Sequence, residues 1–174
     1  MSEIKNILKE IQLLVLDVDG VLTDGKLIIN HDGTESKAFN SLDGHGIRLW
    51  RRAGLKVAFL SGRFSEPTQR RAAQLEVDYC YQDSHNKIEV MNELVNLTKL
   101  QPCNIAYVGD DLMDLPPMRF AAFAATVANA VPDVKANADY VTKNEGGSGA
   151  VREVIEYILR NTGRWDDLMK RYLP

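Results

Sequence analysis

The stretch Leu13-Leu14-Val15-Leu16-Asp17-Val18-Asp19-Gly20-Val21-Leu22-Thr23-Asp24 constrains the fold more than any other part of the chain. Four apolar residues in a row, with no polar alternation, predict a strand buried on both faces, as in a parallel sheet. The run ends in two carboxylates two residues apart, and a glycine follows at once. Ligands of open parallel sheets bind beyond the carboxyl ends of the strands, where Asp17 and Asp19 would sit. Two anions held so close repel, and a divalent cation with oxygen ligands is the natural compensation. Taken alone, the stretch also fits an acidic loop behind a strand.

The remainder of the chain supplies partners for that strand. Residues 1–10 read as a short helical or irregular lead-in, and the first strand covers 12–18. Two β-capable runs, 26–29 and 35–39, flank Asn30-His31-Asp32-Gly33 and predict a β-hairpin. A helix follows over 43–53, with Ile47, Trp50 and Ala53 on one stripe and Gly54 as its stop. Strands are expected at 57–60, 78–81, 105–108, 122–127 and 140–141. Helices are expected at 66–75, with Pro67 in the first turn, and at 86–99, 113–120, 134–137 and 150–159. Pro116 and Pro117 predict an irregular start to the helix at 113–120. The tail from 164 to 174 has the pattern of one more helix. Strands alternating with helices predict a three-layer α/β fold with a mainly parallel sheet. No linker separates a second domain, so residues 1–174 are expected to form one.

Bulk properties exclude several classes. A chain of 174 residues can bury a good core. The net charge of −3, without a basic block, gives no reason to expect nucleic acid as a partner. No apolar run is long enough for a bilayer, and the N-terminus lacks a signal-peptide pattern. Cys80 and Cys103 lie far apart in apolar surroundings, which predicts buried, reduced thiols in the cytoplasm.

Polar residues collect at the predicted strand ends. The first strand ends in Asp17 and Asp19, the second in Ser61, Gly62 and Arg63, and the fourth in Asp110, Asp111 and, one turn on, Asp114. Lys87 opens a helix. Carboxyl ends of parallel strands share one edge, so a single site can gather these groups. Their chemistry suits phosphoryl transfer. An ionised carboxylate such as Asp17 is a competent nucleophile toward phosphorus. A second carboxyl two residues on can protonate the leaving oxygen and then deprotonate water. A cation between Asp17 and Asp110 would screen the approach of an anion to a phosphate. A hydroxyl and an ammonium would stabilise charge on the transferring group. Singly, Ser61 fits a helix cap equally well, Lys87 a surface residue, and Asp111 and Asp114 helix N-terminal acids.

The set Asp17-Val18-Asp19-Gly20-Val21-Leu22-Thr23, Leu60-Ser61-Gly62-Arg63, Lys87 and Gly109-Asp110-Asp111-Leu112-Met113-Asp114 resembles, in order, the four motifs of the haloacid dehalogenase superfamily. The resemblance implies a Rossmann-like core and a Mg²⁺-dependent phosphatase working through an aspartyl-phosphate. It implies Asp17 as nucleophile and Asp19 as general acid/base. The metal would be held by Asp17, the Asp19 carbonyl and Asp110, with Asp111 and Asp114 supporting it from behind or through water. Ser61, with Gly62, and Lys87 would bind the phosphoryl group.

Spacing adds to this. About forty residues separate Asp19 from Ser61, and about twenty-five separate Ser61 from Lys87. The predicted elements use both gaps, leaving no room for a folded cap domain. Only the hairpin inserted at about 24–39 would stand over the site. The chain is most similar to small capless members that dephosphorylate 3-deoxy-D-manno-octulosonate 8-phosphate, in lipopolysaccharide synthesis. That similarity spans nearly the whole chain and includes Val21 to Gly25, Ala106 to Asp111, Ala138 to Thr142 and Gly146 to Glu153. It implies a homotetramer in which hairpins meet and a neighbour helps close each site. An unpaired, fairly apolar hairpin calls for a partner in any case. A substrate with a phosphate and a carboxylate calls for basic groups at the mouth. Arg63, Arg70 and Arg71 are candidates, with the resemblance favouring Arg63 and Arg71; an exposed helix face explains them equally well. Thr23, Asn40 and Asp43 could touch the substrate or shape the loops. Loop 146–149 could approach a neighbour's site or simply turn the chain. A sister phosphatase for a nine-carbon ulosonate phosphate would share these motifs. A phospho-aspartate receiver module is a distant third reading, because there the acidic pair precedes a later phosphorylated aspartate.

Overall fold

The structure, a computed structural model, describes residues 2–173. Met1 and Pro174, the outer ends of the two predicted terminal segments, lie outside it. Helix α1 (Ser2–Glu10) leads into β1 (Leu13–Leu16). All four β1 side chains are fully buried, which explains the missing polar alternation. Burying each contributes roughly 1.5–3 kcal/mol. Strand β1 pairs in parallel with β4 (Lys56–Leu60) on one side and β6 (Ile105–Gly109) on the other. Beyond β4 lies β5 (Tyr79–Tyr81), and beyond β6 lie β7 (Phe123–Thr126) and β8 (Tyr140–Val141). The sheet has six parallel strands in the order β5-β4-β1-β6-β7-β8.

The chain winds outward through β4 and β5, then crosses back to β6. Right-handed crossovers therefore put α2 (Ser41–Arg52) and α3 (Glu66–Leu75) on one face, and α4 (Lys87–Thr98) and α5 (Leu115–Phe120) on the other. The two pairs are indeed in contact, α2 with α3 and α4 with α5. Helix α7 (Ala150–Asn161) packs along α2, and α8 (Arg164–Met169) folds back on α7, burying Trp165 beneath Arg160. Short α6 (Pro132–Lys135) links β7 to β8. The winding reverses beside β1, which opens a crevice at its carboxyl end.

Differences from expectation have local causes. Strand β1 stops before Asp17, whose N–H makes the last ladder bond, 2.9 Å from the Val108 carbonyl. Helix α2 starts two residues early because the Asn40 side chain caps it, accepting the Leu42 N–H at 2.8 Å. Helix α6 starts at Pro132, a residue preorganised for a first helical turn. Pro116 and Pro117 do follow an irregular start, a 3-10 turn at Leu112–Asp114. The hairpin forms, but its strands β2 (Ile28–Ile29) and β3 (Glu35–Ser36) are two residues long. No other element interrupts the path from β1 to α2, and only α3 and β5 lie between β4 and α4, so the fold has no cap. The expectation of two buried thiols is corrected: Cys103, in the 3-10 turn Pro102–Asn104, is exposed, while Cys80 is half-buried, and both are free.

Candidate active site

Asp17 is the first residue beyond β1 and is buried at the crevice. Lys87, at the first position of α4, puts its ammonium 2.8 Å from Asp17 Oδ1 and 2.6 Å from Asp114 Oδ1. Burial alone would weaken its hold on the proton. The two carboxylates outweigh it and hold the ammonium above its ordinary range. Asp114 is fully buried and fully occupied. Its Oδ1 also accepts the Tyr107 hydroxyl at 2.7 Å, and its Oδ2 accepts the N–H groups of Asp110 and Asp111 at 2.9 and 3.2 Å. Those bonds close the turn after β6 and aim Asp110 back at Asp17.

Asp110 is treated differently. Its Oδ1 is buried with no hydrogen-bond partner. Burial, then the Asp17 and Asp114 charges, push its carboxyl up to about 8. Burial and Asp114 likewise push Asp17 up to about 7, against the pull of Lys87. Oxygen atoms of Asp17, Asp110 and Asp114 lie within 4.8 Å of one another. Carboxylates so crowded, one oxygen orphaned, fit a hard divalent cation. Asp17 and Asp110 have oxygen to offer it. Asp114 is already spent on Lys87, Tyr107 and the backbone, so it fits the supporting position expected of it.

The loop after β1 is shaped for this approach. Gly20 has φ +91°, and a Cβ there would collide with the Asp110 carboxylate. The Thr23 hydroxyl holds the loop shut, accepting the N–H groups of Gly20 and Gly25 at 3.3 and 3.2 Å. Loop 146–149 lies on the same chain's 20–23 loop, with the Gly147 N–H donating to the Val21 carbonyl at 3.0 Å. Asp43 holds the far side of that loop. Its buried carboxylate accepts the N–H groups of Gly149 and Arg152 at the start of α7.

A cavity of about 390 Å³ gathers Asp17, Asp19, Ser61, Gly62, Arg63, Lys87, Asp110 and Asp111. Ser61 Oγ donates to the Arg63 carbonyl at 2.9 Å and accepts the Arg63 N–H at 3.2 Å, which turns the chain sharply after β4. Five candidate substrate contacts, Thr23, Asn40, Asp43, Arg70 and Arg71, are not in the lining. Thr23 is committed to its loop. Asn40 caps α2 and donates to the Gly147 carbonyl at 3.2 Å. Arg71 reaches the Asn40 carbonyl at 3.4 Å and lies over the Phe39 ring, buttressing the start of α2. Arg70 pairs with Glu66 on the exposed face of α3.

Other residues at the site escaped the sequence reading. His85 and Met113 line the cavity, and Tyr107 supports it from below. Lys37 and Glu35 come from the hairpin. Lys37 pairs with Asp19 at 2.6 Å, and Glu35 pairs with Arg63 at 2.9 Å. Two opposite charges two residues apart, Glu35 and Lys37, were the available signal, but spacing does not say what a face looks onto.

The chain is similar to known proteins. The family model described as haloacid dehalogenase-like hydrolase matches residues 77–155. The 3-deoxy-D-manno-octulosonate 8-phosphate phosphatase KdsC of Escherichia coli K12 is 42% identical over 159 residues, covering 91% of this chain and 85% of the relative. The crystal structure of the Moraxella catarrhalis 3-deoxy-D-manno-octulosonate 8-phosphate phosphatase, in complex with magnesium, phosphate and KDO, superposes with TM-score 0.95 at 38% identity, over 99% of both chains. The corresponding enzyme from Yersinia pestis gives TM-score 0.92 at 38% identity, over 94% of this chain and 89% of that one.

Proposed function

The chain belongs to the haloacid dehalogenase-like hydrolases, and we propose that it hydrolyses 3-deoxy-D-manno-octulosonate 8-phosphate to the sugar acid and phosphate, a step of lipopolysaccharide synthesis. The observation that carries this reading is the convergence of Asp17, Ser61, Lys87 and Asp110 in one cavity at the carboxyl edge of the sheet. Near-complete coverage of relatives with this activity supports the substrate. Asp17, Asp110 and the Asp19 carbonyl would hold magnesium, which would supply charge compensation for the phosphate.

The chain's own residues do the rest. Asp17 attacks phosphorus while the bond to the ester oxygen breaks. Asp19 gives its proton to that departing oxygen. The Asp17 acyl-phosphate then takes up water at phosphorus, Asp19 removes the water's proton, and phosphate leaves with the Asp17 carboxylate restored. Lys87, beside Asp17, and the Ser61 hydroxyl hold the phosphoryl oxygens as charge redistributes. Gly62, next to Ser61 in the cavity lining, is the candidate for a backbone contact to the phosphoryl group. Asp111 and Asp114 support the metal side. Arg63, at the mouth, is the candidate for the substrate carboxylate. Thr23, Asn40 and Arg71 then act on substrate through the loops they hold.

A single domain over 1–174 carries this chemistry. The assembly is a homotetramer. Its support is the hairpin, where Leu27, Ile28 and Ile29 stand about half exposed beside the site. Free thiols at Cys80 and Cys103 support a cytoplasmic setting, and among the described residues no helix is long and apolar enough to cross a membrane.

Phosphate release from a panel of sugar-acid phosphates, with magnesium and with a chelator, tests the reading. The eight-carbon acid should give the highest kcat/KM, and chelation should abolish turnover. A preference for a nine-carbon acid, or no preference over simple phosphate esters, would overturn the substrate. Deleting residues 26–38 should yield a smaller assembly of reduced activity by light scattering and assay; an unchanged assembly would remove the hairpin's role in assembly, and a fully active monomer its role in activity.

A further inference from the structure

Lys37 follows β3 in the hairpin, and its side chain is only 1% exposed. Lysine is almost never so deeply buried unless it is paired, because an ammonium taken from water loses its solvation. The partner here is Asp19. Lys37 Nζ stands 2.6 Å from Asp19 Oδ1 and 3.5 Å from Glu35 Oε1. The other Glu35 oxygen accepts Arg63 Nη2 at 2.9 Å. Charges alternate along the row Asp19, Lys37, Glu35, Arg63, and the two ends of the row line the cavity.

Asp19 needs such a partner. It lies on the loop after β1, whose hydrogen bonds fix backbone atoms and not this side chain. A general acid must come within about 2.6–3.2 Å of the atom it protonates. A free carboxylate on a loop rotates through several rotamers, and most of them miss that position. A buried ammonium on one oxygen removes this freedom and leaves the other oxygen available. We infer that Lys37 is a positioning residue for Asp19: it holds one carboxylate oxygen from the hairpin side, so that the other exchanges the proton with the ester oxygen and with water. This rests on the phosphatase reading above. It also gives the hairpin a part in the chemistry that is separate from any part in assembly.

The test uses leaving groups. The ratio kcat/KM covers the steps up to departure of the first alcohol. An alkyl ester, such as a sugar-acid phosphate or glycerol phosphate, departs as a poor leaving group and needs the proton. p-Nitrophenyl phosphate departs as a stable phenolate and needs it little. In the full chain with magnesium, Lys37→Met should lower kcat/KM on alkyl esters about tenfold or more, within the ~10²–10⁴ carried by acid–base catalysis. On the aryl ester the loss should stay below about threefold, since the proton matters less there. Asp19→Asn should shift the alkyl-to-aryl ratio in the same direction and further. Lys37→Gln, which keeps a donor of shorter reach, should show a smaller loss again confined to alkyl esters, and serves if the methionine variant fails to fold. Equal losses on both esters, or no loss on either, overturn the positioning role, since a phosphate-binding or purely structural lysine acts on both alike. Wild-type turnover of glycerol phosphate without preference for the sugar acid would overturn the substrate assignment alone.

Discussion

The floor of the cavity and its open side are built from the same residue type, to opposite ends. Asp114, at the floor, has Lys87, the Tyr107 hydroxyl and two backbone N–H groups on its oxygens. Asp110, four residues earlier, has a buried oxygen with no partner. Both carboxylates follow β6 and both lie close to Asp17. The difference is supply of donors. A carboxylate whose lone pairs are all taken is framework, and breaking it leaves other charges stranded. A carboxylate left short, facing another of its kind, is held in place by its neighbours for something yet to bind. The contrast separates what stabilises the fold from what serves the reaction.

The largest effect should come from the open side. Asp17→Asn removes the proposed nucleophile, and turnover should fall on the order of 10³-fold or more, as for other covalent catalysts. The fold should persist, because Lys87 keeps Asp114 and the Asp17–Asp110 repulsion is gone. Steady-state assay beside circular dichroism checks both halves; residual activity above that level would remove Asp17 from its role.

Next comes a pair of variants that sets floor against open side. Asp114→Asn should cost about 3–5 kcal/mol, the usual loss when one partner of a buried ion pair is removed. Asp110→Asn should leave the metal-free protein as stable as before or more so, while abolishing the gain in melting temperature on adding magnesium. Urea and thermal denaturation of both, with and without magnesium, test this. Equal destabilisation would mean the two carboxylates share one structural role.

The last contrast is in pH. Folding lifts Asp17 to about 7 and Asp110 to about 8 from an ordinary value of 3.8. The folded chain therefore binds more protons than the unfolded chain between these limits. Without magnesium, this contribution is fully present below about pH 4 and is lost as pH rises toward 8. Stability of the wild type relative to Asp110→Asn should fall across that window in chelator. Magnesium should flatten the fall, because it favours the ionised carboxylates. A difference independent of pH would show that the two carboxylates do not crowd each other.

Much of this was legible before any coordinates. Leu13 to Leu16 announced a doubly buried strand because a parallel sheet demands unbroken apolar runs. Helix α3 has the bounds expected of it, since Pro67 marks its first turn. Asp17, Ser61, Lys87 and Asp110 were readable as a set because each ends a strand or opens a helix on one edge. Lys37 was not readable: a lysine in a short hairpin looks solvated until the hairpin is folded over Asp19. Cys103 was misjudged because neighbouring apolar residues do not say which side of a short turn faces water. Arg71 and Asn40 carried the right polarity for a substrate contact, yet the path of the chain turned them toward α2 and the glycine loop.

The sequence by itself determined the strand and helix order, the absence of room for a cap, and the candidates for nucleophile and metal ligands. These depend on local pattern and spacing, which the chain carries along its length. Only the tertiary structure decided which aspartate is framework and which is left open, and that a hairpin lysine stands against Asp19. Those outcomes depend on donors arriving from segments 18 and 27 residues away. A carboxylate's role is set by the partners that folding brings to it, and no local pattern records them.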